Sequence, residues 1–145
     1  MIRGYFNRSC PHVAAQLAIP CIQIQGPVIF VLDTGADETV LMPNEAIMLG
    51  VDYSKLVGQP RGETCGLGGD VEAFAVPASV IFKGGRYRYD YKIKLLIIEK
   101  DLDNEWTLSL PSVLGRDVLN RMRSVYDLAK NSMTMTPMSW SRRFK

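Results

Sequence analysis

The residues best suited to chemistry are Asp33, Thr34 and Gly35. They stand in Val31-Leu32-Asp33-Thr34-Gly35-Ala36-Asp37-Glu38-Thr39-Val40-Leu41, within and after the apolar run Val28 to Leu32. A carboxylate on a Thr-Gly turn at the end of a covered strand is held in a fixed place. Two such carboxylates in contact cannot both ionise cheaply, so they share one proton, and the pair can activate a water as base and acid together. The string occurs once. A pair therefore requires two chains to meet. An ordinary Asp-initiated turn after a strand would read the same way over three residues, so the surroundings must carry the argument.

The elements expected around this loop are mostly strands. Ile22 and Ile24 alternate with Gln23 and Gln25, Gly26-Pro27 signals a turn, and Val28 to Leu32 reads as a strand covered on both faces. Pro43 to Gly50 has a proline early, helix formers next and a glycine at the end, which predicts a helix of about two turns. Residues 60–76 read as a hairpin with a glycine-rich tip, Gly66-Leu67-Gly68-Gly69, and Ala78 to Phe82 as a further strand before a Gly84-Gly85 turn. From Arg86 to Ile98 charged residues alternate with Tyr87, Tyr89, Tyr91, Ile93 and Leu95. Residues 99–106 suggest a charged loop and Leu108 to Leu114 a strand interrupted by Pro111. Gly115 to Met122 reads as a short helix with Val118, Leu119 and Met122 on one face. Ser124 to Thr136 suggests two strands around Lys130-Asn131.

Composition narrows the function classes. The chain has 145 residues, 47% hydrophobic and 22% charged, with 17 Lys and Arg against 15 Asp and Glu for a net charge of +2. That suits one domain with a packed core, and it gives no electrostatic case for nucleic acid or an anionic membrane. No apolar run reaches the ~18 residues of a spanning helix, and the first 20 residues lack the apolar segment of a signal peptide. Cys10, Cys21 and Cys65 are odd in number and show no metal-type spacing, so neither disulfides nor zinc are expected, and a reducing cytoplasm fits best.

DTGADETVL resembles the active-site loop of the retropepsins, the homodimeric aspartic proteases of retroviruses and their cellular relatives. Two further stretches agree in order: CGLGGD (Cys65 to Asp70) resembles the family's flap tip, and VLGRDVL (Val113 to Leu119) resembles the stretch that leads into its helix. The resemblance covers about residues 19–136, with 1–18 as an N-terminal arm and 137–145 as a basic tail of one domain. RSVYDLAKNSMTM is similar to the helix-to-hairpin ending of the DNA-damage-inducible ubiquitin-shuttle proteins, more than to a viral ending. The resemblance implies an all-β fold with one or two short helices, a closed, barrel-like half-site completed by dimerisation, with interface strands from Val125 to Met135. No metal and no cofactor are implied.

On that resemblance Asp33, Thr34 and Gly35 are catalytic, Thr34 bonding across the two-fold axis. Ala36, Asp37, Glu38, Cys65, Gly66, Leu67 and Gly68 would contact substrate, and Leu32, Leu67 and Ile81 could line subsites. Asp37 would pair with Arg116, supported by Gly115, although local sequence alone makes Arg116 a solvated side chain. Each reading has a plain competitor. A glycine-rich tip belongs to many hairpins, Cys65 suits a small apolar filler as well as a redox-sensitive lid, and Glu38 suits an exposed carboxylate. His12 stands outside every motif, and the Arg-Tyr alternation at 86–91 describes a two-faced strand better than a base-stacking surface. The expected function is a homodimeric aspartic endopeptidase acting on extended peptides. The alternative is a silent dimerisation or peptide-binding module on the same fold.

Overall fold

Ten strands run through the described residues, and their pairing explains why the Asp33 loop sits where it does. The computed structural model describes residues 1–66, 69–99 and 105–138. Strands β1 (Ile2–Asn7) and β2 (Cys10–Ile19) form a hairpin whose two turn residues, Arg8 and Ser9, have φ of 49° and 63°. That left-handed pair matches the twist of the flanking strands. After a 3-10 turn at Pro20–Ile22, β3 (Ile24–Leu32) runs antiparallel to β2, in register from Ile19 opposite Ile24 to His12 opposite Val31.

The chain continues through β4 (Val40–Leu41), α1 (Pro43–Leu49), a 3-10 turn at Tyr53–Leu56, β5 (Arg61–Gly66), β6 (Gly69–Gly84) and β7 (Tyr87–Ile98). Helix α2 (Glu105–Ser109), β8 (Val113–Leu114), α3 (Arg116–Leu119), β9 (Met122–Asp127) and β10 (Ser132–Pro137) follow. Neighbours run β5-β6-β7-β4-β8-β3-β2-β1-β10-β9, and β6 also pairs with β2. The pairings from β2 through β3, β8, β4, β7 and β6 therefore return to β2. Phe30, Leu17, Val80, Phe82, Leu95 and Leu114 are buried in the resulting core.

Several expectations change. Residues 1–18 are not an arm outside the core: Val13, Ala15 and Leu17 on β2 are buried, and Ile2 joins Met135 in the same apolar cluster. Ile22 lies in the 3-10 turn and not on a strand. Gly26-Pro27 is no turn but part of β3, opposite Leu17 and Gln16. Gly26 is small because Leu49 of α1 packs there, 2.6 Å from where a Cβ would stand. Pro27 is tolerated because β8 flanks β3 only at Val31 and Leu32, leaving its far side open.

Ala78 to Phe82 is not a separate strand either. It continues β6 through Pro77, which falls where β6 changes partner: β5 pairs it as far as Phe74, and β2 takes over at Ser79. A residue without an N–H fits that gap. Of the expected strand Leu108 to Leu114 only Val113 and Leu114 are strand, and Leu108 lies in α2. Helix α1 ends at Gly50 (φ 83°), whose N–H caps the carbonyls of Ala46 and Ile47. Among the described residues no helix is long and apolar enough to cross a membrane.

The place of β2 in the core has a direct test. Leu17→Ala is expected to lower unfolding free energy by about 2–5 kcal/mol in urea denaturation, the cost of emptying a filled core site. A segment lying outside the core would leave the midpoint unchanged.

Candidate active site

Asp33 is placed by the end of β3. Leu32 pairs in parallel with Leu114 of β8, and the Asp33 N–H donates to the Leu114 carbonyl at 3.1 Å. The chain then turns sharply. The Ala36 N–H donates to the Asp33 carbonyl at 3.2 Å, and the Gly35 N–H donates to Asp33 Oδ1 at 2.9 Å. A Cβ on Gly35 would stand 3.1 Å from that oxygen, so glycine lets the amide approach the carboxylate closely. Asp33, Thr34 and Gly35 are all exposed.

The loop is clamped from behind by the start of α3. Gly115 lies directly on the backbone of Glu38, where a Cβ would come within 2.5 Å of the Glu38 carbonyl carbon and oxygen. From there the Arg116 N–H donates to the Ala36 carbonyl at 2.9 Å and the Asp117 N–H to the Asp37 carbonyl at 3.2 Å. The Arg116 guanidinium forks, with Nη1 donating to the Thr34 carbonyl at 2.7 Å and Nη2 donating to Asp37 Oδ1. A planar fork holds both partners in one geometry, which a lysine cannot reproduce.

Two residues complete the clamp that sequence reasoning left without a role. Thr39 is fully buried; its hydroxyl donates to Asp117 Oδ1 at 2.7 Å and accepts from the Gly115 N–H at 3.1 Å. The Thr39 N–H donates to Asp117 Oδ2 at 3.0 Å, and the Val118 N–H donates to Asp117 Oδ1 at 2.9 Å. Asp117 therefore ties Thr39, just before β4, to α3, and its Oδ1 shares the Val118 N–H of the helix's first turn with the Gly115 carbonyl. The signal that could have found it is an acidic residue directly after the residue that opens a helix. A second tie holds α1: the buried Ser112 hydroxyl accepts from the Met42 N–H at 2.9 Å and donates to Glu45 Oε2 at 3.2 Å.

The residues expected to touch substrate are dispersed. Ala36 is half-buried, with its carbonyl engaged by Arg116, and the Asp37 side chain is 83% exposed. Glu38 is not a free exposed carboxylate: its side chain is 31% exposed and pairs with Lys94 of β7 at 2.7 Å. Cys65 and Gly66 end β5 opposite Asp70 and Gly69, while Leu67 and Gly68 lie outside the described residues. Ile81 is 4% exposed within β6 and cannot line a subsite. Leu32, by contrast, lines a groove with Thr34, Arg116, Leu119, Met122 and Tyr126, between the Asp33 loop and β9. The His12 Nδ1–H donates to the Cys10 carbonyl at 2.8 Å, and the ring stacks on Tyr5. Among the described residues no cluster of His, Cys, Asp and Glu could hold a metal ion.

Neither a family model nor a curated protein sequence matches the chain. The solved structures do. A crystal structure of a retropepsin-like aspartic protease from Rickettsia conorii superposes with a TM-score of 0.54 and 22% identity over 93% of this chain and 97% of that one. The fold is retropepsin-like. EIAV protease in complex with the inhibitor HBY-793 matches at a TM-score of 0.48 and 22% identity, over 80% of this chain and 90% of that one. In this retropepsin-like chain the strand β3, the turn at Asp33 and the start of α3 make one rigid unit.

That unit predicts two stability effects. Thr39→Val keeps the shape and removes one donor and one acceptor, leaving the Gly115 N–H without its hydroxyl partner and Asp117 Oδ1 one donor short; it should cost about 1–3 kcal/mol in chemical denaturation. Arg116→Ala should lower the melting temperature more than the same change at the exposed Arg123. An unchanged melting temperature for Arg116→Ala would remove the fork from the clamp.

Proposed function

We propose that this chain is a homodimeric aspartic endopeptidase in which two copies of Asp33 meet on a two-fold axis. The observation that carries the reading is the exposed Asp33 carboxylate, held by the Gly35 N–H on a loop clamped through Arg116 and Asp117. Such rigidity has little use in an ordinary surface turn and suits a group that must meet its mate in one geometry.

In the proposed assembly the two carboxylates lie about 3 Å apart and share a proton, so their titration belongs to the pair. The ionised member takes a proton from a water held between them. The protonated member polarises the scissile carbonyl, and the resulting diol collapses as the leaving amine takes a proton. No covalent intermediate is needed. Thr34 would bond across the axis, and the Gly35 carbonyl would accept from the substrate backbone. Ala36, Asp37, Glu38 and the hairpin tip of β5 and β6 would hold an extended peptide as an added strand.

Two features favour a second copy of this chain as the partner. β9 ends the order of strands, and it leaves Val125 and Tyr126 exposed beside the groove that runs to Thr34. An unpaired edge with exposed apolar residues is a surface that another strand can cover. Cys10 and Cys21 are free thiols, as a cytoplasmic setting would leave them.

The wild-type protein should cleave an unbiased peptide library between pH 4 and 7, and Asp33→Asn should reduce turnover by at least about a thousandfold. Equal product from both would leave the silent peptide-binding module as the reading. Specific activity should also rise with protein concentration until the dimer saturates, tracked alongside mass by analytical ultracentrifugation.

A further inference from the structure

β5 is the other end of the strand order, joined to the sheet through β6 alone. One side chain reaches from it past β6 to the end of β7. Arg61 Nη2 donates to Glu72 Oε2 on β6 at 2.9 Å and to Glu99 Oε2, just after β7, at 2.8 Å. Its guanidinium carbon lies 4.3 Å from the centre of the Phe74 ring, so the plane of the fork is supported as well as paired. Exposed ion pairs usually contribute little because two mobile side chains must be ordered. Here one guanidinium on an aromatic face serves two carboxylates from two different strands.

The charges around it are unbalanced. Glu63 stands directly opposite Glu72 in the β5–β6 register, and like charges so placed destabilise a strand pair. Arg61 pairs with Glu72 and Glu99, and Glu63 adds a further carboxylate opposite Glu72 at the base of the hairpin. Tyr53 approaches from the preceding 3-10 turn, its hydroxyl donating to the Ile98 carbonyl at 3.0 Å. Burial, with the Glu99 charge second, pushes Tyr53 up to about 12, so it stays neutral at and below pH 7. Lys100 and Asp101 lie outside the described residues.

The register connects this base to the candidate site. Arg61 is opposite Phe74, Phe74 opposite Ile97, and Ile97 opposite Leu41 of β4, the strand that leaves the Asp33 loop. Gly62 keeps β5 close, since a Cβ there would stand 2.9 Å from the Leu96 side chain.

We infer that Arg61 is a positioning residue that fixes the β5–β6 hairpin against β7, and so sets how the hairpin covers a peptide bound at Asp33. The effect on catalysis rests on the protease reading; the effect on the hairpin does not. Arg61 joins Glu72 and Glu99; without it these carboxylates, with Glu63 opposite Glu72, lose their shared cation and the base of the hairpin parts.

The test uses the full chain with Arg61→Met, which keeps the stem on Phe74, and Arg61→Lys, which keeps the charge. At pH 7 Arg61→Met should speed amide hydrogen exchange of peptides spanning 60–76 about fivefold and leave β2 and β3 unchanged. In peptide cleavage it should raise KM about fivefold with kcat nearly constant. Arg61→Lys should restore most of both, and Glu99→Gln should partly rescue Arg61→Met. Wild-type exchange and KM in Arg61→Met would overturn the inference, as would an Arg61→Lys variant no better than Arg61→Met. If the wild type cleaves nothing, the protease reading falls and the exchange measurement alone decides the role of Arg61.

Discussion

The clamp behind the Asp33 loop depends on the contact of Gly115 with the backbone of Glu38. At that separation no side chain fits, and only because none is present can the next two amides reach the carbonyls of Ala36 and Asp37. The same approach brings Thr39 within reach of Asp117 and the Arg116 fork within reach of Thr34 and Asp37. Two segments far apart in sequence are thereby welded by hydrogen bonds as well as by the packing of Val40 against Val113. The parallel pairing of Leu32 with Leu114 delivers both segments to the same end of the sheet.

What the sequence disclosed was local. The Asp33 turn, the helix ending at Gly50, the hairpin around residues 60–76 and the turn at Asn131 each depend on residues within a few positions, such as a glycine or asparagine at positive φ. What it concealed was decided by neighbours in space. Gly26-Pro27 has the composition of a turn, but β2 on one side and Leu49 of α1 above make it strand. Pro77 looks like a break and is only a change of partner. Residues 1–18 carry no motif, yet they supply β1 and most of β2. In the site, Thr39 and Asp117 were ordinary letters of longer strings, because a buried hydroxyl paired with a carboxylate leaves no pattern along the chain. The Glu38–Lys94 pair was equally invisible, since it joins a loop to a distant strand.

The division of labour within this arrangement bears on how an assembled site could work. Every hydrogen bond of the clamp lies inside one chain, so the turn at Asp33 has its shape before any second molecule arrives. Little ordering cost for the loop is then left to association, which is the advantage of a preorganised surface. The Asp33 carboxylate itself stays exposed, with a backbone amide on one oxygen and solvent around the rest. It gains the ability to serve as base or acid at one pH only when a second carboxylate forces them to share a proton. The chain can thus build the geometry alone, while the chemistry proposed for it needs two chains, and this separation is what makes an exposed, rigidly held aspartate informative where a flexible one would not be.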